Sequence, residues 1–432
     1  MNRTILRLAI PNIITNITIP LLGMVDLRLM GHMGSAKYVG AIALGGMIFN
    51  FLFWGFGFLR MGTSGFTAQA YGRRDMGEAA HVLARALITA LAGGMLLIVL
   101  QWPVAKGAFA VVHSSRELES LAQSYFNIRI WAAPATLCIY AFTGWFIGMQ
   151  NARLPMILAI SVNVLNIMFS LLFIRIFNLR SDGIAWANVA SQYVGLALGL
   201  FFVSLYVPRL RKYFNVQQVL NRKAFRNFLS VNKDIFIRTL CLIFTLSFFT
   251  TQSANTSDTV LAVNTLLFQF FYFFSYFVDG FAYAAEALTG RYIGSGNRKM
   301  LVSVVKRLFV WGLGIAVVFT LVYLAGGHFM LKLLTNNSET LNAAKPYLFW
   351  VVLVPVITFA AFIWDGIYVG ATASKAMRNS MVIITTIIFL PAYYLLNPLM
   401  GNHGLWLAMM LFMGARGVFL GIMAKKSVFQ LV

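Results

Sequence analysis

Charge is scarce in this chain. Of its 432 residues only 11% are Asp, Glu, Lys or Arg, and the acids number just 12. A soluble domain carries roughly 25% charged residues, so a water-soluble globule is excluded. Cysteine is nearly absent. Cys138 and Cys241 are the only two, and both sit inside apolar runs, which implies no disulfide framework. The five histidines, His32, His81, His113, His328 and His403, show no metal-ligand spacing. No phosphate-cradling loop is present. Gly294-Ser-Gly296-Asn297 follows an apolar helical run rather than a strand and reads as a turn. No nucleophile motif is found either. A primary ATP-driven pump is therefore excluded, and a membrane-embedded enzyme lacks the nucleophile–base pair or metal triad it would need.

What the chain does have is apolar length. It is 60% hydrophobic with a mean hydropathy of +0.78. The apolar residues lie in runs of about 20 or more, enough to cross a bilayer as helix. Uninterrupted runs exclude the alternating pattern of a β-barrel, the other structure that can span lipid. Counting predicts twelve spans, near 8–30, 39–70, 82–105, 121–149, 156–176, 183–207, 235–251, 259–288, 304–326, 347–370, 381–399 and 404–423. The basic, apolar N-terminal stretch lacks a convincing signal-peptide cleavage site and is read as a retained first helix.

The second half repeats the first. Tyr125, Gly144 and Gly148 reappear 222 positions later as Tyr347, Gly366 and Gly370 (366 − 144 = 222). Pro134 recurs as Pro355, and Gly62 and Gly72 have candidate counterparts in Gly280 and Gly290. The glycine pairs keep x3 spacing, which permits close helix packing. Six spans per half is an even number, so the copies run parallel, related by a pseudo-two-fold axis along the membrane normal. The expected fold is an all-α integral membrane protein of twelve transmembrane helices in two six-helix bundles. The N-terminal bundle is expected over 1–208, the linker over 209–226 and the C-terminal bundle over 227–432.

The net charge of +22 first suggests a nucleic-acid partner, but its distribution argues against one. With both termini placed in the cytoplasm, 18 basic residues, among them Arg73, Arg74, Arg153, Lys212, Arg298 and Lys425, fall on that side, against seven on the other. This positive-inside bias accounts for the basicity, and the loops are too short for a nucleic-acid domain. The lipid bilayer is the expected partner, and a monomer the expected state.

Four acids lie inside apolar spans: Asp26, Asp279, Glu286 and Asp365. A carboxylate at membrane depth costs about 2.5–3.5 kcal/mol on insertion scales, so such residues pair or take up protons. Asp279, Glu286 and Asp365 share a depth with Arg60, Arg238 and Arg416. They read either as a cytoplasmic-side charge network or as a second coupling site. Asp234 and Arg238 are i, i+4 and can pair with each other. Asp26 is the stronger coupling candidate. Pro20, six residues earlier, leaves a weak point for bending. Asn163, Asn166 and Ser170 on the fifth span and Ser191 on the sixth supply a polar lining at similar depth. Alternatively, Asp26 pairs with Arg28, although i, i+2 residues point to different sides of a helix.

Pro20-Leu-Leu-Gly-Met-Val-Asp26 and Gly62-Thr-Ser-Gly-Phe-Thr-Ala-Gln-Ala-Tyr-Gly72 resemble stretches of the multidrug and toxic compound extrusion (MATE) transporters. Asp279-Gly-Phe-Ala-Tyr-Ala-Ala-Glu286, Ile237-Arg-Thr-Leu240 and Trp364-Asp-Gly366 are similar to the DinF-like branch of that family. The resemblance implies an antiporter in a bacterial cytoplasmic membrane. It would exchange protons, or less readily sodium, for small organic, cationic or amphipathic compounds, and would need no cofactor. It also implies that Asp26 faces an Asn-x3-Asp pair on helix 5 and a Thr on helix 6. Here those positions read Asn166, Ser170 and Ser191. Losing the second acid weakens a sodium site, because hard cations favour several oxygen ligands including carboxylates. A lipid-linked sugar flippase of the same superfamily is the rival reading. It would need a cationic cavity for pyrophosphate, with Arg28 and Arg129 as its candidate residues.

Overall fold

The computed structural model describes residues 1–31, 36–111 and 115–431, without the side chains of 19, 22, 24–31, 36, 111, 116, 207, 209 and 211. Twelve long helical segments follow one another. They are α1 (Asn2–Gly31), α2 (Lys37–Gly72), α3 (Met76–Val99), α4 (Glu117–Gly148), α5 (Arg153–Arg175), α6 (Ser181–Ser204), α7 (Arg222–Thr256), α8 (Asp258–Gly294), α9 (Arg298–Leu334), α10 (Ser338–Gly370), α11 (Ser374–Met400) and α12 (Asn402–Leu431). The eleven after α1 are long and apolar enough to cross a membrane. No strand occurs among the described residues. A single hydrogen-bonded helix satisfies its own backbone in lipid, so each apolar run becomes a helix.

The chain forms two compact units. One comprises Ile14–Leu229. The other comprises Met1–Ile13 with Ser230–Val432, so the boundary falls inside α1. The first turns of α1 pack on Gly280 of α8, where an added Cβ would lie 2.3 Å from Ile13 Cγ1 and 2.9 Å from the Ala9 carbonyl oxygen. Arg307 Nη1 also donates to Asn2 Oδ1 at 3.0 Å.

Within each unit the duplication is visible in matching backbone details. In the first unit, a Cβ on Gly144 of α4 would sit 2.2 Å from the Arg60 carbonyl oxygen of α2. In the second, a Cβ on Gly366 of α10 would sit 2.2 Å from the Ala282 carbonyl oxygen of α8. One turn on, Gly148 faces the Ser64 carbonyl at 2.8 Å and Gly370 the Glu286 carbonyl at 2.4 Å. Both partners of each contact are therefore offset by 222. The packing register thus pairs Arg60 with Ala282. Gly62 and Gly280, 218 apart in sequence, are not structural counterparts but lie about one turn out of register.

The turns repeat with the same offset. Arg74 and Gly296 both take positive φ (58° and 65°), as do Gln150 and Thr372 (63° and 53°). These left-handed residues reverse the chain at helix ends. Asp75 then caps α3 by accepting the Glu78 N–H, and Asn297 caps α9 by accepting the Met300 N–H. A cap of this kind satisfies an N–H that the first helical turn leaves open.

The basic segment 209–226 is held against α3 rather than left free. Buried Arg85 donates to the carbonyls of Gln218 (2.7 Å) and Val219 (3.0 Å) and pairs with Glu78 at 2.7 Å. His81 Nε2 accepts the Asn215 N–H at 3.1 Å.

The backbone contact at Gly366 generates a stability prediction. Gly366→Ala is expected to force α8 and α10 apart and cost roughly 1–3 kcal/mol or more through overpacking. Gly314→Ala, at a position with open space around it, is expected to leave stability within about 1 kcal/mol of the unmodified chain, since it trades only backbone freedom. Thermal unfolding of both variants in detergent distinguishes them.

Candidate functional site

Two polar groups lie within helices otherwise built of apolar residues, one in each unit. The first is on α5. Asn163, Asn166 and Ser170 are spaced i, i+3, i+7 and so share one helix face. Asn163 Nδ2 donates to Thr18 Oγ1 of α1 at 3.0 Å, and Thr18 donates onward to the Thr15 carbonyl at 2.7 Å. This ties α5 to α1 two residues before Pro20. The helix α1 runs unbroken through Pro20. Asn166 Nδ2 donates to Ser191 Oγ of α6 at 3.4 Å, and Ser191 donates to the Asn188 carbonyl at 2.9 Å.

Two oxygen atoms in this group stand out. Asn166 Oδ1 and Ser170 Oγ are buried and have no hydrogen-bond partner among the described residues. A buried polar atom left unpaired costs free energy, so a polar group brought beside this pair would find a donor and an acceptor there. The side chains of Asp26 and Arg28 lie outside the described residues. The structure thus brings four of the expected residues, Asn163, Asn166, Ser170 and Ser191, to one polar patch. It adds Thr18 and Asn188, which sequence reasoning missed. The available signal for Thr18 was a hydroxyl residue in an apolar run close to a helix-breaking proline.

The second group is ionic. Asp365 Oδ2 of α10 accepts from Arg238 Nη2 of α7 and from Arg416 Nη2 of α12, the latter at 2.5 Å. All three side chains are largely buried, with Asp365 the most exposed at 15%. Arg416 is further held by Met413 Sδ at 3.1 Å and the Phe412 ring at 5.7 Å. Asp279 of α8 is half-buried, within electrostatic reach of Arg416. Glu286 is buried at the close approach of α8 and α10.

The i, i+4 pair between Asp234 and Arg238 does not form. Asp234 instead accepts from Arg378 Nη1 at 2.6 Å and Ser374 Oγ at 2.9 Å, both at the start of α11. Arg238 reaches across to α10. Pairing across helices gives each carboxylate two donors, Arg378 and Ser374 for Asp234 and Arg238 and Arg416 for Asp365.

Arg129 donates to Tyr125 Oη at 2.8 Å, and its guanidinium lies 4.9 Å from the centre of the Phe49 ring. It is occupied by an aromatic clamp inside its own unit. Among the described residues no three His, Cys, Asp or Glu side chains group as a metal site would require.

Comparison with known proteins fits this architecture. The MatE family model matches residues 11–172 and again 236–395, one match in each half. The chain is 34% identical to DNA damage-inducible protein F of Escherichia coli, covering 98% of this chain and 92% of that protein. It is 19% identical to multidrug export protein MepA of Staphylococcus aureus, over 93% of this chain and 88% of that protein. Among solved structures, a MATE protein in the bent conformation matches with TM-score 0.87 at 17% identity, covering 100% of this chain and 96% of that one. A MOP superfamily transporter from Pyrococcus furiosus matches with TM-score 0.85 at 18% identity, covering 99% and 96%. These structural likenesses show the shared fold of twelve helices in two bundles. Matched by the family model in both halves and by a full-length relative at one residue in three, the chain belongs to the multidrug and toxic compound extrusion (MatE) family of membrane transporters.

Proposed function

We propose that the chain is a proton-driven exporter of small organic, cationic or amphipathic compounds, coupled through Asp26. The observation that carries this reading is the pair of buried, unpartnered oxygens, Asn166 Oδ1 and Ser170 Oγ. An ionised carboxylate can only accept hydrogen bonds, whereas a protonated one can also donate. Ser170 Oγ can donate to the first form, and Asn166 Oδ1 can accept from the second. A patch with both partners suits an acid that alternates between two protonation states. Sodium is the second reading for the coupling ion. It is the poorer fit because the patch offers neutral oxygens and one candidate acid, where hard cations favour several carboxylate ligands.

Asp365 suits a structural role better. Its charge is shared between two guanidiniums in the same unit, and Asp279 and Glu286 complete a charge group on α8 and α10. The positive-inside distribution supports cytoplasmic termini and a segment 209–226 on that face, and similarity to the Escherichia coli protein supports a bacterial cytoplasmic membrane, where the chain acts as a monomer. Alternating access then moves the N-terminal and C-terminal helix bundles in response to the charge on Asp26, with Pro20 as the weak point of α1.

In proteoliposomes, Asp26→Asn is expected to abolish efflux driven by a pH gradient; full activity in that variant rules out the assignment. Ser170→Asp places a second acid on α5 and is expected to make transport respond to an imposed sodium gradient more strongly than that of the unmodified chain. Asp365→Asn leaves two buried guanidiniums without their shared carboxylate and is expected to cost roughly 3–5 kcal/mol of stability, read as a lowered unfolding temperature. Ion selectivity in the variant protein that still folds should stay unchanged.

A further inference from the structure

A groove of about 880 Å³ opens where α3 ends. Past Leu100 the chain continues as a short helix, Gln101–Val111, which forms one wall, and the first turns of α4 form the other. The first wall presents Trp102, Lys106 and Phe109, and the second presents Glu119, Gln123 and Trp131. All belong to the Ile14–Leu229 unit.

Three features define what the groove suits. The first is charge. Lys106 and Glu119 both line it, yet among the described residues neither has an ionic partner. The Lys106 ammonium lies over the Trp102 ring, 5.1 Å from its centroid. Nearby, Lys37 and Glu117 pair at 2.6 Å, so charges at this end of the unit do join where the geometry allows. Inside the groove the geometry keeps a cation on one wall and an anion on the other.

The second feature is a continuous apolar stripe. Leu91, Met95 and Val99 are exposed and, spaced four apart, share one face of α3, and exposed Trp102 follows at the start of the next helix. The stripe runs up α3 and ends at Lys106. Val99 is 73% exposed and Trp102 70%, which for a membrane helix is a surface for acyl chains. The third feature is the tryptophan pair. Trp102 and Trp131 are both exposed, and Trp is enriched where hydrocarbon gives way to headgroups.

We propose that this groove binds a phospholipid with a zwitterionic amine headgroup, of the phosphatidylethanolamine class. Lys106 holds the phosphate. Glu119 holds the primary ammonium, which can donate several hydrogen bonds to a carboxylate. Gln123, already bonded to Asn127 at 2.8 Å, lies on the same wall. The acyl chains lie along the exposed stripe of α3. An anionic lipid such as phosphatidylglycerol would satisfy Lys106 and leave Glu119 opposed by like charge. A choline headgroup carries no N–H to give Glu119.

The test uses the full chain, purified and delipidated, with native mass spectrometry after addition of dioleoyl phosphatidylethanolamine, phosphatidylglycerol or phosphatidylcholine. The ethanolamine lipid is expected to be retained best. Glu119→Gln is expected to reduce its adducts about tenfold, the scale of one charge-assisted hydrogen bond, and to raise phosphatidylglycerol adducts by removing the like charge. Lys106→Gln should reduce both, while Lys37→Gln, in the neighbouring pair, should reduce neither. A second readout needs no variant: ethanolamine lipid with a photoreactive headgroup should cross-link to peptides within 102–131. The proposal fails if Glu119→Gln retains the ethanolamine lipid fully, if phosphatidylglycerol is retained better, or if cross-links fall only elsewhere. It also fails if glycerophosphoethanolamine, which lacks acyl chains, competes as well as the intact lipid.

Discussion

Each unit depends on helices meeting at backbone distance. Lipid offers no hydrophobic drive between helices, so association relies on van der Waals fit and interhelical hydrogen bonds. Gly144 against the Arg60 carbonyl, and Gly366 against the Ala282 carbonyl, bring two helices into contact where any side chain would separate them. The left-handed turns at Arg74 and Gly296, and at Gln150 and Thr372, then set where the neighbouring helices begin. Both copies solve the packing problem in one register, and the polar groups are mounted on that frame.

On this common frame the copies bury different chemistry. Asp365 precedes Gly366, and its counterpart before Gly144 is Thr143. Glu286 corresponds to Ser64, through matching contacts with Gly370 and Gly148. The second copy therefore holds an Arg–Asp–Arg cluster, while the first offers neutral Asn and Ser side chains on α5 and α6. Buried ion pairs demand near-complete mutual compensation, which favours a fixed arrangement. A neutral patch with unsatisfied oxygens is better suited to a partner whose protonation changes. The contrast between an ionic cluster in one copy and a neutral polar patch in the other follows from which residues diverged after duplication.

The segment 209–226 is tied down by groups outside it. Its basic composition reads as a linker, and buried Arg85 and His81 bind its backbone. The short helix Val216–Val219 presents carbonyls that its own turn cannot satisfy, and a guanidinium can take two of them at once. Nothing in the spacing of Arg85, embedded in the apolar run of α3, marks it as a linker anchor.

Hydropathy, the repeat and the glycine pairs were legible along the chain because each depends on local length or spacing. A run of about twenty apolar residues has one low-energy form in lipid, and a duplication keeps its offset. The α5 patch was legible for the same reason: Asn163, Asn166 and Ser170 share a face by helical period alone. Partner choice was not. Asp234 turned to Arg378 and Ser374, and Arg238 to Asp365, because long flexible side chains on neighbouring helices compete with i, i+4 partners. The sequence by itself determined the helices, their pairing by duplication and the residue types available for coupling. Only the tertiary structure decided the true packing register of α8, the partners of each buried charge, and which oxygens were left without a hydrogen bond, since these depend on distances between segments far apart in the chain.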